Sequence, residues 1–467
     1  MNFTRILLAL AACAATSFAA KANAVTFIYG NSTALTGPDG TTSIQTWSIG
    51  SPYSAHMTDS GSVLYTTSSG AGTASGCSGA VSWGSIVEKD WSGTTLHTIT
   101  SAQLGGGIGH HAITPTARGT VLAIMLENYN GACGERVVEW DLKANKVIWT
   151  WHTNDHLGTT ATKLKAGSSS QDPFHINNAD LDTVNNRIVM SAHNVYEVFV
   201  INHAIDSTAN KTTSGDLLWR FGNPSNYGIS GVTAYISYAC HSARFVDPGI
   251  TGATNIVFYA NLSPANGTVS TGYEIKPIYS LKTSGEWDYS VIFKGTNSNS
   301  TGQNMGGMDK LFNGNWLTYF SNSSKAYEFD SANGASQTIS QAVGTWSANT
   351  SNGIRRYNVC GTMMAKAVSL GDAEATTVWN ANCSATPTAV IKAKESFQMK
   401  FANASIQLNN IGTSNDVHVL NLRGQQVFSG KSATGSMEIS TQGWAKGAYL
   451  VKVRVNGQNL VRTISVM

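Results

Sequence analysis

The sequence predicts an all-β protein: a six-bladed β-propeller followed by a small C-terminal β-sandwich. Three observations carry that prediction. Helical periodicity is scarce, whereas short β-rich runs such as "GSVLYTT", "TVLAIML", "RIVMSAH", "NIVFYANL" and "NWLTYFS" alternate with Gly, Asn and Asp turns. A unit of strand, turn, strand and "EWD…G…W"-type hairpin recurs at roughly 40–70-residue intervals, the mark of a propeller. After Cys383 the composition shifts, and a compact β pattern ends the chain.

Taken in order, residues 1–24 read as an export signal. Arg5 gives the positive start, "ILLALAACAA" the apolar stretch, and Ala22-Asn23-Ala24 a small-x-small cleavage site. "LAAC" ending at Cys13 also resembles a lipoprotein box. Its apolar run is very short, so cleavage after Ala24 is the preferred reading. No later segment reaches the roughly 18 continuous apolar residues of a membrane span.

The propeller is expected over residues 25–383. Its units open at "YSAHMTDSGSVLYTTSS", "HHAITPTARGTVLAIMLEN", "HINNADLDTVNNRIVMSAHN", "HSARFVDPGITGATNIVFYANL" and "GGMDKLFNGNWLTYFS". A weaker sixth begins near "RRYNVCGTMMAKAVSLGD" and ends at "TTVWN". The Trp and Asp residues of "EWDL", "EKDW" and "YEFD" read as packing and turn closure. Residues 384–395, "SATPTAVIKAKE", read as a linker and 396–467 as the C-terminal module.

Composition narrows the class. Only 12% of residues are charged, Gly numbers 46 and the formal net charge is +3 without a basic cluster. Nothing there points to nucleic acid. Without the leader, five cysteines remain, and Cys77 with Cys133 and Cys360 with Cys383 are plausible pairs in an oxidising compartment. Connectivity stays open in the sequence. Cys240 is then the odd one, and it reads as packed inside a blade rather than as a nucleophile.

Equivalent positions in a propeller converge on its central channel, so the repeat register selects candidate site residues. With the small residue or turn eight places downstream as the mark, His111 aligns with Gly119, His175 with Thr183 and His241 with Gly249. Tyr53 with Gly61 and Gly306 with Gly314 keep the same register. Three successive units thus put a histidine at one repeat position. His110 and His111 alternate faces in an extended segment, so one of the two, His111 by register, is expected to point inward.

The segments "GHHAITPTARGTVL", "DPFHINNADLDTVNNRIVMSAHN", "GDLLWRFGN" and "CHSARFVDPG" resemble the bacterial arylsulfotransferase family over roughly residues 50–330. That resemblance implies a six-bladed propeller that moves a sulfuryl group from an aryl sulfate to a phenolic acceptor. It also implies that no cofactor is needed. Carried onto this chain, it implies His241 as the nucleophile that becomes transiently sulfated. His175 and His111 (or His110) would bind the sulfate oxygens. An arginine is expected in an "SSRH"-like run, but the run here is "SAHN", with His193 in its place.

That departure matters because arginine offers a permanent charge and a bidentate fork. Arg244 is a possible substitute, although strand alternation sends it to the face opposite His241. Arg220 in "LLWRFG" reads as structural, His56 shares the repeat position of Arg244, and Asn177 shares a face with His175. An alternative function is a non-enzymatic surface propeller that binds a glycan or protein through an eroded site. A three-histidine zinc site ranks below sulfuryl transfer, since no HxH or HExxH spacing supports it.

The last residues, with "LRGQQV", "GWAKGAYLVKV" and a chain-ending strand, resemble the C-terminal sorting domain of type IX secretion cargo. This implies the type IX machinery as a partner and a secreted or cell-surface location. The oligomeric state is open.

Overall fold

In the computed structural model the described residues are 22–30, 33–79, 81–203, 215–232, 235–261, 269–296, 305–320, 325–330, 336–337, 341–345, 351–383, 398–402, 404–412, 416–421, 426–432, 435–455 and 458–466. The expected leader, Cys13 included, and the expected linker therefore lie almost wholly outside them. The chain divides into two units, 1–387 and 388–467.

The first unit is all-β apart from two α-helices and two single-turn 3-10 helices among the described residues, and its strands form six small sheets. The second sheet shows how sequence makes them. Thr120–Tyr129 pairs with Ala132–Asp141 through Asn130-Gly131, both with positive φ (55° and 84°). That is the Asn-Gly two-residue hairpin whose twist matches its flanking strands. The other repeats open on Ala55–Met57, Ile176–Asp182, Cys240–Phe245 and Gly307–Lys310, as their sequence units predict.

The sixth sheet departs from expectation. Its leading strand, Ser351–Asn358, pairs not with a following hairpin but with Ala24–Gly30, in the register Ala24↔Asn358 to Ile28↔Ile354. Thr33–Thr36 and Ser43–Trp47 complete it. The residues expected to continue the sixth unit form helices instead, Thr362–Ser369 and Ala373–Asn382. Their Ala-rich composition favours helix. Asp372 caps the second helix by accepting from Ala375 N–H (2.7 Å) and also accepts from the Trp91 indole (2.8 Å). The Cys360–Cys383 disulfide brackets the pair, and Cys77–Cys133 is the second bridge, both as the spacing suggested.

Alternating apolar residues give each sheet two buried faces, and every core in the unit is shared by two sheets. The first and second sheets share Leu64, Ile86, Trp83 and Val121, and the second and third share Ile124, Trp151, Ile176 and Phe199. Third and fourth meet through Trp219 and Phe258, fourth and fifth through Phe293 and Trp316. Leu317 and Ala326 of the fifth pack on Ala24 and Ile354 of the sixth. Phe27 and Trp47 of the sixth then pack on Val63 and Trp91 of the first, closing the cycle.

Buried glutamates tie consecutive sheets together. Glu139 binds His203 (2.7 Å), Glu274 binds Lys310 (2.9 Å), and Glu328 binds Arg356 and the Ala22 N–H. Arg220 is fully buried against Glu197 (2.5 Å), which supports its structural reading. Cys240 is buried and unbridged, its thiol on the Glu197 carbonyl (3.2 Å).

The second unit has a three-stranded and a four-stranded antiparallel sheet. Ile406, Leu408 and Ile439 from one and Val417, Val419, Val451 and Val453 from the other bury together in a single core.

Candidate functional site

The site is built by irregularities at the start of the leading strands. His111 and His175 have left-handed φ (52° and 55°), as does Ser242 beside His241 (55°). The ladder slips at the same places, between Ile176 and Asn178 and between His241 and Arg244. A bulge breaks the face alternation of a strand and re-aims its side chains. The expectation that only one of His110 and His111 points into the site is therefore corrected. Their rings lie 4.3 Å apart, and both approach His175, at 5.2 and 4.4 Å.

Five histidines converge: His110, His111, His175, His193 and His241. His193 bridges the group, 5.1 Å from the His175 ring and 5.3 Å from that of His241. Tyr53, the register mate of these histidines, places its hydroxyl 3.1 Å from His111 Nδ1. His111 Nε2 and His175 Nε2 are 2.8 Å apart, and His175 Nδ1 bonds Asp172 Oδ2. Two ring nitrogens at hydrogen-bond distance share one proton. A carboxylate on His175 Nδ1 fixes that tautomer, so its Nε2 accepts from the His111 N–H, and Tyr53 then donates to His111 Nδ1.

His241 is held differently. Its Nδ1 meets Asn261 Oδ1 (2.7 Å) and the Ala239 carbonyl (3.0 Å), both acceptors, so Nδ1 carries the proton. The Asn261 amide is itself anchored on the Met305 carbonyl (3.0 Å). Nε2 is thereby the lone-pair nitrogen. Burial pushes His241 down to about 3, with His193 adding to the effect, so its imidazole is neutral across the physiological range. His110 is pushed down to about 4 by burial, while His111 lies well below its ordinary value and His193 is lowered, in both cases chiefly by burial.

Behind His175 stand two acids that sequence reasoning missed. Glu135 accepts from the His175 backbone N–H (2.6 Å), and Asp172 precedes His175 by three residues. Burial, with the adjacent Asp172 charge, pushes Glu135 well above the usual carboxylate range. The "DPFH" spacing was the available signal for Asp172; for Glu135 and Asn261 only the fold brings them near.

The other predicted residues lie outside this cluster. Asn177 donates to the Cys240 carbonyl (2.8 Å) and accepts from Ser191 (2.6 Å), so its amide is engaged in packing. Arg244 sits on Asp309 (3.3 Å) and lines a cavity of about 640 Å³ with His56, Asp180, Asp247, Asp309 and Arg355.

Residues 48–265 match the family model described as arylsulfotransferase (ASST). All five clustered histidines, with Tyr53, Glu135, Asp172 and Asn261, fall inside the matched stretch. Residues 393–467 match the secretion system C-terminal sorting domain, a type IX signal, so the protein is exported to the cell surface or secreted. No curated protein matches the chain.

Among solved structures, a Lactobacillus plantarum protein aligns at 11% identity and a TM-score of 0.41, covering 90% of this chain and 98% of its own. A putative 6-phosphogluconolactonase of Bacteroides fragilis aligns at 10% and 0.40, covering 72% and 98%. The periplasmic gluconolactonase of Pseudomonas aeruginosa aligns at 10% and 0.38, covering 70% and 79%.

Proposed function

We propose that the protein is an exported arylsulfotransferase whose His241 carries a sulfuryl group from an aryl sulfate to a phenolic acceptor. The observation that carries this reading is the pinned tautomer of His241, with Nδ1–H on Asn261 and Ala239 and Nε2 left as a lone pair. In the first half-reaction Nε2 attacks sulfur, the N–S bond forms, and the S–O bond to the aryl group breaks. The phenolate leaves and takes up a proton. In the second half the acceptor hydroxyl attacks sulfur, loses its proton, and the N–S bond breaks.

Sulfuryl transfer, like phosphoryl transfer, spreads charge over three peripheral oxygens, so fixed donors around them lower the barrier. His193, His175 and His111 are the groups nearest for that role. Burial holds His193 and His111 toward the neutral form, and the single N–H of each is engaged, on Asn194 and on His175, so a donor to a sulfate oxygen requires one of these rings to take up a proton beside the anionic group.

We read the six sheets as the blades of one closed propeller, with the histidines at its channel. The cyclic sharing of cores and the pairing of Ala24–Gly30 with Ser351–Asn358 support this. The shared core of the second unit supports a small sandwich recognised by the type IX machinery.

The test is incubation of the purified protein with an aryl sulfate, followed by peptide mass spectrometry and then addition of a phenol. One SO₃ group on the His241 peptide, discharged by the phenol and missing in His241→Ala, is expected. Transfer at the wild-type rate by a folded His241→Ala variant overturns the mechanism. A lack of transfer at every pH, with glycan binding intact, leaves the non-enzymatic surface propeller as the reading.

A further inference from the structure

Beside the five histidines, three buried side chains meet with polar atoms that find no partner. His110 is 0% exposed, and neither ring nitrogen has a hydrogen bond among the described residues. Glu135 is also 0% exposed; its Oε1 accepts from the N–H groups of His175 (2.6 Å) and Ile176 (3.3 Å), while Oε2 accepts from none. Asp172 uses Oδ2 on His175 Nδ1 and leaves Oδ1 bare. One ligand atom from each of the three lies within 4.8 Å of the others.

Each such orphan costs about 1–3 kcal/mol of desolvation, so several in one place call for a shared partner. The chemistry narrows that partner. Burial holds Glu135 toward its protonated form, with one proton between it and Asp172, and a cation that takes the place of that proton also meets the imidazole lone pair. Calcium and magnesium favour all-oxygen shells, whereas a mixed imidazole–carboxylate set suits zinc or manganese.

We propose that His110, Glu135 and Asp172 bind one first-row divalent cation, of the zinc or manganese class. Each carboxylate would then work in two directions, one oxygen on the ion and the other on His175. The ion would thereby fix the His175 ring and its backbone, the outer-shell arrangement in which carboxylates orient a histidine. It would also put a permanent positive charge beside imidazoles that, among the described residues, have no lysine or arginine between them. This inference does not depend on sulfuryl transfer, since metal content is read without it.

The competing placement is among the three imidazoles of His110, His111 and His175, whose ligand atoms also lie within 4.8 Å of one another. Glu135→Gln separates the two with little change of shape. The full mature protein is stripped with a chelator, incubated with zinc or manganese, desalted and analysed for bound metal, with folding checked by circular dichroism. About one ion per wild-type chain is expected, with roughly tenfold loss in Glu135→Gln and Asp172→Asn and retention in His111→Ala. Wild-type protein that retains neither metal overturns the proposal. So does metal retained by folded Glu135→Gln but lost from His111→Ala, which moves the ion among the imidazoles.

Discussion

His241→Asn tests whether the candidate nucleophile is held neutral by the fold. In the unfolded chain its imidazole titrates near the ordinary value of about 6.5, whereas burial holds the folded one at about 3. The folded-state value is the lower, so stability is fully present above about pH 6.5 and lost as pH falls toward 3. At pH 5 the unfolded imidazole is largely protonated while the folded one is not. That difference amounts to about 2 kcal/mol relative to pH 8. Other groups titrate in the same window. Burial lowers His110 to about 4 and raises Asp247 to about 6, so the wild-type pH dependence alone mixes opposing effects. Comparing variant with wild type cancels them. Urea unfolding at pH 8 and pH 5 should show the gap between wild type and His241→Asn shrinking by about 2 kcal/mol on acidification. Parallel losses in the two proteins would refute a neutral, desolvated His241.

Three further outcomes follow from the same geometry. Asn261→Leu removes the side-chain acceptor on His241 Nδ1 and should lower sulfuryl-transfer kcat by about 10²-fold, the scale of one lost positioning or stabilising bond, while circular dichroism stays unchanged. Replacing Cys77 and Cys133 by serine opens a bridge between residues 56 apart and should lower unfolding free energy by about 4 kcal/mol, read from denaturant midpoints. Cys240, buried and with its thiol pushed up by that burial, should resist a thiol reagent in native buffer and react once unfolded; Cys240→Ala should keep transfer activity.

The repeats were legible because each hairpin carries its own alternation and turn residues, as Asn130-Gly131 does. The sixth sheet was not, because its strands come from opposite ends of the unit and no local pattern links Ala24 to Asn358. The segment after Asn358 was misread for a related reason. "TMMAKAVS" and "AEATTVWNAN" followed a strand that fitted the repeat, and the repeat outweighed their helical composition. At the site, the register brought out His111, His175 and His241, since propeller positions repeat. It could not bring out Glu135, on the strand Ala132–Asp141, or Asn261, just past the strand Ile256–Ala260, since both act through distances that only folding creates. The face of His110 was misjudged because alternation assumes an unbroken strand, and the left-handed φ of His111 breaks it. That a histidine, His193, stands where an arginine was expected was visible in the sequence, but not that Arg244 would be engaged with Asp309.

The sheet shared by the two ends of the first unit governs the order in which the molecule can be made. Residues 24–30 pair along one edge with the neighbouring strand Thr33–Thr36, but their other edge has no partner until residues 351–358 exist. Five sheets can form from neighbouring segments, whereas the sixth requires closing a loop of more than 300 residues. It acts as a latch. Once shut, it leaves neither end of the cycle as a bare edge for another chain to pair with. Removing residues 24–30 would reopen both edges, so this short segment guards a protein otherwise built from neighbouring contacts.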